Sequence, residues 1–122
     1  MRTGMVGRAA PCLVHACTIT NKSNGNVYVR VLYEPVRKQD DDIHERRVEF
    51  ELAKNAQTQV EEAEFDMGSY QMREAIRTIE VTRANGQTQE INAPFDNVNG
   101  VELDWLFIIE DRNIRSIQPN SH

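Results

Sequence analysis

The chain has 122 residues, 39% of them hydrophobic and 27% charged, the size of one domain, since two halves of it would each be too small to bury a core without staples. Fourteen Lys and Arg against nineteen Asp and Glu leave a net charge of −5, which argues against a generic nucleic-acid binder, because neutralising phosphates needs a basic surface. The longest apolar run, Trp105-Leu106-Phe107-Ile108-Ile109, falls far short of the roughly 20 residues that cross a bilayer, so no transmembrane segment is expected.

Residues 1–11 read as a flexible N-terminal segment, 12–119 as the single domain and 120–122 as a tail. Pro11 and His15 interrupt the apolar stretch from Ala9 to Cys17, where a secretory core segment needs roughly 7–15 unbroken apolar residues. Val14-His15-Ala16-Cys17 is a poor lipoprotein box for the same His15. Cys12 and Cys17 are five apart in what reads as one strand, whose first readable part is Leu13 to Thr20; the odd spacing sets them on opposite faces, where they cannot pair with each other. Two thiols that do not pair with each other are expected to suit a reducing, cytoplasmic location. The sequon Asn21-Lys22-Ser23 would matter only in a secreted chain.

After that first strand, Asn21 to Gly25 is turn chemistry, with Asn24-Gly25 supplying positive φ. Asn26 to Glu34 shows the clearest alternation, Val27, Val29, Val31 and Tyr33 against Tyr28, Arg30, Leu32 and Glu34. The two strands are predicted to form a hairpin over 13–34. Pro35 to His44 is a charged loop. Arg46 to Leu52 reads as a strand with Val48, Phe50 and Leu52 inward. Residues 53–76 are ambiguous: Ala53, Ala56, Val60, Ala63 and Met67 recur at helical steps, whereas Thr58, Val60, Phe65 and Tyr70 suit a strand. Strand is favoured, with a short helix within 53–76 as the alternative.

Ile76 to Arg83 is a strand with Ile79 and Val81 on one face and Ile76 on the other. Asn85-Gly86 turns it into a polar edge strand over 87–93, stopped by Pro94. Phe95 to Gly100 is a loop, Leu103 to Ile109 an apolar strand expected to be central and covered on both faces, and Glu110 to Asn113 a hairpin turn into Ile114 to Ile117. The expected fold is all-β: a single-domain antiparallel β-sandwich of seven or eight strands.

Motifs for nucleotide binding, zinc proteolysis and α/β-hydrolase chemistry are missing from the sequence, and no cofactor is implied. His15 and Cys17 share one strand face with Leu13 and Ile19, so they read as core before they read as a metal or nucleophile pair. Asp40, Asp41 and Asp42, near Glu45, form an acidic loop; with Asp66 and Asp96 from other loops it suggests Ca²⁺ at one end of the sandwich, against the plainer interpretation of a solvated charge run. Glu61, Glu62 and Glu64 make a second acidic run with nothing to fix a catalytic separation. Tyr28 and Phe95 are the aromatics expected at the surface.

The preferred function is a non-catalytic module that binds a protein partner or itself, a homodimer included, through an edge or through the face bearing Tyr28, Arg30 and Leu32, whose residue types interfaces favour. The alternatives are a Ca²⁺-dependent membrane- or ligand-binding module using Asp40, Asp41 and Asp42, and a small enzyme with an unmarked site around His44 and its neighbouring carboxylates.

Overall fold

A computed structural model describes residues 12–38 and 40–119; the expected N-terminal segment 1–11 and tail 120–122 lie outside the described residues. Strands alone make up its regular structure. They are β1 (Leu13–Val14), β2 (Cys17–Asn21), β3 (Val27–Tyr33), β4 (Val36–Arg37), β5 (Ile43–His44), β6 (Arg47–Leu52) and β7 (Gln57–Val60). Then follow β8 (Glu64–Asp66), β9 (Gln71–Arg73), β10 (Ile76–Arg83), β11 (Thr88–Asn92), β12 (Val101–Glu102), β13 (Trp105–Ile109) and β14 (Ile114–Ile117). One four-stranded sheet has the order β11-β10-β3-β6 and the other β14-β13-β2-β7; β1-β12, β4-β5 and β8-β9 are two-stranded ribbons.

The all-β sandwich follows from period-two burial. Val27, Val29, Val31 and Tyr33 of β3, with Ile79 and Val81 of β10, face Cys17 and Ile19 of β2 and Trp105, Phe107 and Ile109 of β13 in a single buried cluster. Burying such side chains contributes about 1.5–3 kcal/mol each. Residues 53–76 hold strands and no helix: the three alanines of the helical stripe offer little apolar area, while Val60 at the end of β7 reaches the core.

The structure corrects several expectations. β2 and β3 lie in different sheets, so 13–34 is not a hairpin. The reason is Asn21, fully buried. Its amide donates to the carbonyls of Gly25 and Leu52, both at 2.9 Å, and its Oδ1 accepts from Ser23 N at 2.9 Å and Ser23 Oγ at 2.6 Å. This local bonding folds the connection into an arch between sheets, and Gly25 does not take a positive φ. β2 pairs instead with β13, in parallel, from Cys17↔Trp105 to Asn21↔Ile109; β1 and β12 are also parallel, so the sandwich is not purely antiparallel. The first strand is broken at His15-Ala16, which removes the parity argument and leaves both Cys17 and Cys12 packed on the core.

In β10 a bulge between Ile76 and Thr78 shifts the register, bringing Ile76 to the same face as Ile79 and Val81. β13 is central, but only Trp105, Phe107 and Ile109 are buried; Leu106 and Ile108 are half-exposed, because none of the described residues forms a layer over the second face. Phe95 is buried, with its ring 4.9 Å edge-to-face from Phe107. The hairpins over 76–93 and 103–117 form as expected. Gly86 takes φ 88° in the first, and β11 is an edge strand ending before a cis Ala93–Pro94 bond.

Strand direction sorts the connections. The short turns 22–26, 53–56, 84–87 and 110–113 fall at one end of the sandwich. The long connections 34–46, 61–75 and 93–104, with 12–16, gather at the other. Phe107, 0% exposed, is in the middle of the core, so Phe107→Ala should cost about 3–5 kcal/mol. Gln89, at the edge, accepts from Arg83 and donates to the Arg112 carbonyl, so Gln89→Ala should cost about 1 kcal/mol. Urea denaturation of both variants checks the ordering; equal costs would misplace the core.

Candidate functional site

The long connections are held together by one residue, Glu74, between β9 and β10. Its backbone N–H donates to the Ala63 carbonyl at 2.9 Å. Its carbonyl accepts from His15 Nδ1 at 2.8 Å; a carbonyl can only accept, so Nδ1 carries the proton. Its side chain is 0% exposed: Oε2 accepts from Arg46 Nε at 2.7 Å, and Oε1 lies 3.4 Å from His44 Nε2. Glu74 thus joins 12–16, 34–46 and 61–75. The His44 ring lies 4.4 Å from that of Phe65, tilted by 32°, which packs the β4-β5 ribbon on the β8-β9 ribbon.

Two further ionisable groups line the core near this brace. Burial pushes the Cys17 thiol up to about 12 and the Tyr33 hydroxyl up to about 12. A thiol so buried is a poor nucleophile, so His15 and Cys17 do not act as a catalytic pair: His15 holds a backbone carbonyl and Cys17 packs.

The other candidates are placed as follows. Tyr28, Arg30 and Leu32 share the outer face of β3, with no second layer of the described chain over it. Arg30 lies 3.8 Å from Glu49 and 3.4 Å from Glu80. The Tyr28 hydroxyl donates to Glu49; that bond raises the pKa of Tyr28 and lowers that of Glu49. The face is a ladder of paired charges rather than an apolar patch. Asp40, Asp41 and Asp42 turn β4 into β5. Asp41, at φ 67°, points towards Arg37 at 3.8 Å, and Asp40 accepts from Asp42 N at 3.2 Å. Asp40 and Asp66 do come together at one depression, where Lys38 joins them. Among the described residues no group of three or more His, Cys, Asp or Glu is arranged to hold a metal ion.

Sequence reasoning singled out His44 but sought its carboxylate among Asp40, Asp41, Asp42 and Glu45. The partner is Glu74, in a polar stretch with no alternation to mark it. No known protein-family model, curated protein or solved structure matches the chain. No helix among the described residues is long and apolar enough to cross a membrane.

Two outcomes follow. Glu74→Ala removes one side of a buried ion pair, a loss of about 2–4 kcal/mol when the partners are free to turn to water. In hydrogen exchange, amides of 36–44 and 64–73 should lose protection more than those of β3 and β13; a uniform loss would count against the brace. In the unfolded chain Cys17 and Tyr33 ionise near their ordinary 9.0 and 10.0, and in the fold both stay protonated to about 12. Their contribution to stability is complete below about pH 9 and falls as pH rises towards 12, by about 1.4 kcal/mol per pH unit for each group ionised only when unfolded. Urea melts between pH 8 and 11.5 measure it, and Cys17→Ser should flatten the lower part of the decline.

Proposed function

We propose that the protein is a non-catalytic interaction module that presents its long-connection end to a basic, partly apolar surface of a protein partner. What supports this is the coincidence of charge and apolar exposure at that end. The connections 34–46, 61–75 and 93–104 carry thirteen of the nineteen acids and four of the fourteen Lys and Arg, a formal −9 against −5 for the whole chain. Of the seven exposed large apolar side chains among the described residues, five, Ile43, Tyr70, Met72, Val101 and Leu103, lie on the same connections. Solvated loops have no need of such side chains, whereas aromatic and Met residues within a polar rim are what interfaces use. The acids repel phosphate and attract Lys- and Arg-rich surfaces, speeding encounter with the right partner. The Glu74 brace holds the two ribbons in place before binding, which lowers the ordering cost of association.

Site-specific photocrosslinking in the native cell tests this reading. A benzophenone amino acid at Tyr70 should give a discrete protein adduct, and the same group at Asn85, on the opposite end, should not. The Tyr70 adduct should weaken as salt is raised, because the attraction is screened beyond about 8–10 Å. Equal labelling from both ends, or an adduct indifferent to salt, would sink the assignment.

A further inference from the structure

The outer edge of β6 exposes a row of backbone groups and a half-covered part of the core face. β6 ends its sheet, with no strand on its outer side among the described residues. Tyr33 N donates to the Arg46 carbonyl at 3.0 Å, which fixes the alternation: Val48, Phe50 and Leu52 turn their backbone groups to β3, and Arg47, Glu49 and Glu51 turn theirs to the open side. Val48, on the core face, is left 37% exposed, and Phe50 is only partly covered, because no strand lies beyond them. Six residues without proline offer three pairs of free N–H and C=O groups in a row, the kind of edge that proteins normally blunt.

The other edges are less suited. In β14 the Ser116 carbonyl already accepts from Asn97 Nδ2 at 2.9 Å. β11 has Glu90 at its centre, without an ion-pair partner among the described residues, so a two-fold pairing there sets acid against acid. β7 has four residues, led by Gln57, Thr58 and Gln59.

We propose that the chain forms a two-fold homodimer by antiparallel pairing of β6 with β6 of a second copy, centred on Glu49, into a continuous eight-stranded sheet. In this register Arg47 stands opposite Glu51 of the second copy, twice, and Val48 opposite its Phe50, twice. The outer face gains opposite-charge pairs while the core face extends across the junction. Glu49 meets its own copy on the axis, but each is already neutralised by Arg47 at 3.0 Å and by Arg30. Sliding the register by two residues one way puts Glu49 opposite Glu51, twice; sliding it the other way leaves Phe50, Glu51 and Leu52 opposite residues that precede β6, so only 47–49 pair strand to strand. Antiparallel pairing also points the two −9 ends in opposite directions, each beside the less acidic part of its neighbour.

Sedimentation equilibrium on the full chain tests the interface and its register together. The wild type should be dimeric at tens of micromolar. Arg47→Glu and Glu51→Arg should each, by placing like charges opposite one another, weaken the dimer about tenfold or more. A one-to-one mixture of the two variants should restore it, because each glutamate then faces an arginine. Far-UV circular dichroism establishes that both variants are folded. A wild type that stays monomeric at about 200 μM, reversals that leave the dimer intact, or folded variants that do not recover on mixing would each overturn the proposal.

Discussion

A carboxylate withdrawn from water depends on its neighbours, and groups from three separate stretches of chain gather on Glu74. Arg46 and His44 approach its side chain, and His15 and Ala63 take up its backbone groups. The desolvation of such a group is offset only when its partners are all in place. The position of the β4-β5 ribbon therefore depends on that of the β8-β9 ribbon, and both depend on how β1 enters the first layer. Without Glu74 these ribbons would be loosely attached appendages, for no residue of the four strands belongs to the main apolar cluster; Ala63, just before β8, packs against it, Val36 is buried outside it, and Phe65 stacks on His44.

Asn21 does at the opposite end what Glu74 does at this one. Both are polar and fully buried; the Asn21 side chain bonds the distant backbone of Leu52, and the Glu74 side chain the distant guanidinium of Arg46. Each stands where the chain must choose between continuing a sheet and crossing to another. Asn21 sends the chain from the sheet of β2 to that of β3, and so frees the flank of β2 for the parallel pairing with β13. A core of valine and isoleucine side chains specifies that two sheets close on each other; it does not specify which strand belongs to which sheet. Here that information is carried by two polar side chains.

This division explains what was legible in the sequence. The alternation of β3, the turn at Asn85-Gly86 and the β13-β14 hairpin were readable because period-two patterning and turn chemistry are local. The class of fold and the edge position of β11 followed from them. The 13–34 hairpin was misread because Asn21 resembles a turn residue whichever way the turn leads, and only the carbonyl of Leu52, far along the chain, reveals its use. Ile76 was set on the wrong face because a bulge leaves no mark on parity. His44 was visible as a candidate, but a glutamate among polar neighbours shows its burial only once three segments have met. Tyr28, Arg30 and Leu32 did share a face, as parity required; their engagement by Glu49 and Glu80 depends on strand order, which alternation does not encode.

The sorting of connections by strand direction also has an electrical consequence. A strand of eight residues, such as β10, is about 26 Å long, roughly three times the Debye length of about 8 Å at physiological ionic strength. The two ends of the molecule are therefore electrically independent objects, and a solute approaching either one senses the local charge rather than the sum. At the isoelectric point, near 5.2, cancellation is a property of the total only: the molecule is then a macroscopic dipole, negative at one pole and positive along the rest. Head-to-tail attraction between such dipoles is strongest where net repulsion vanishes, so molecules that meet at that pH should do so with the acidic end of one towards the rest of another.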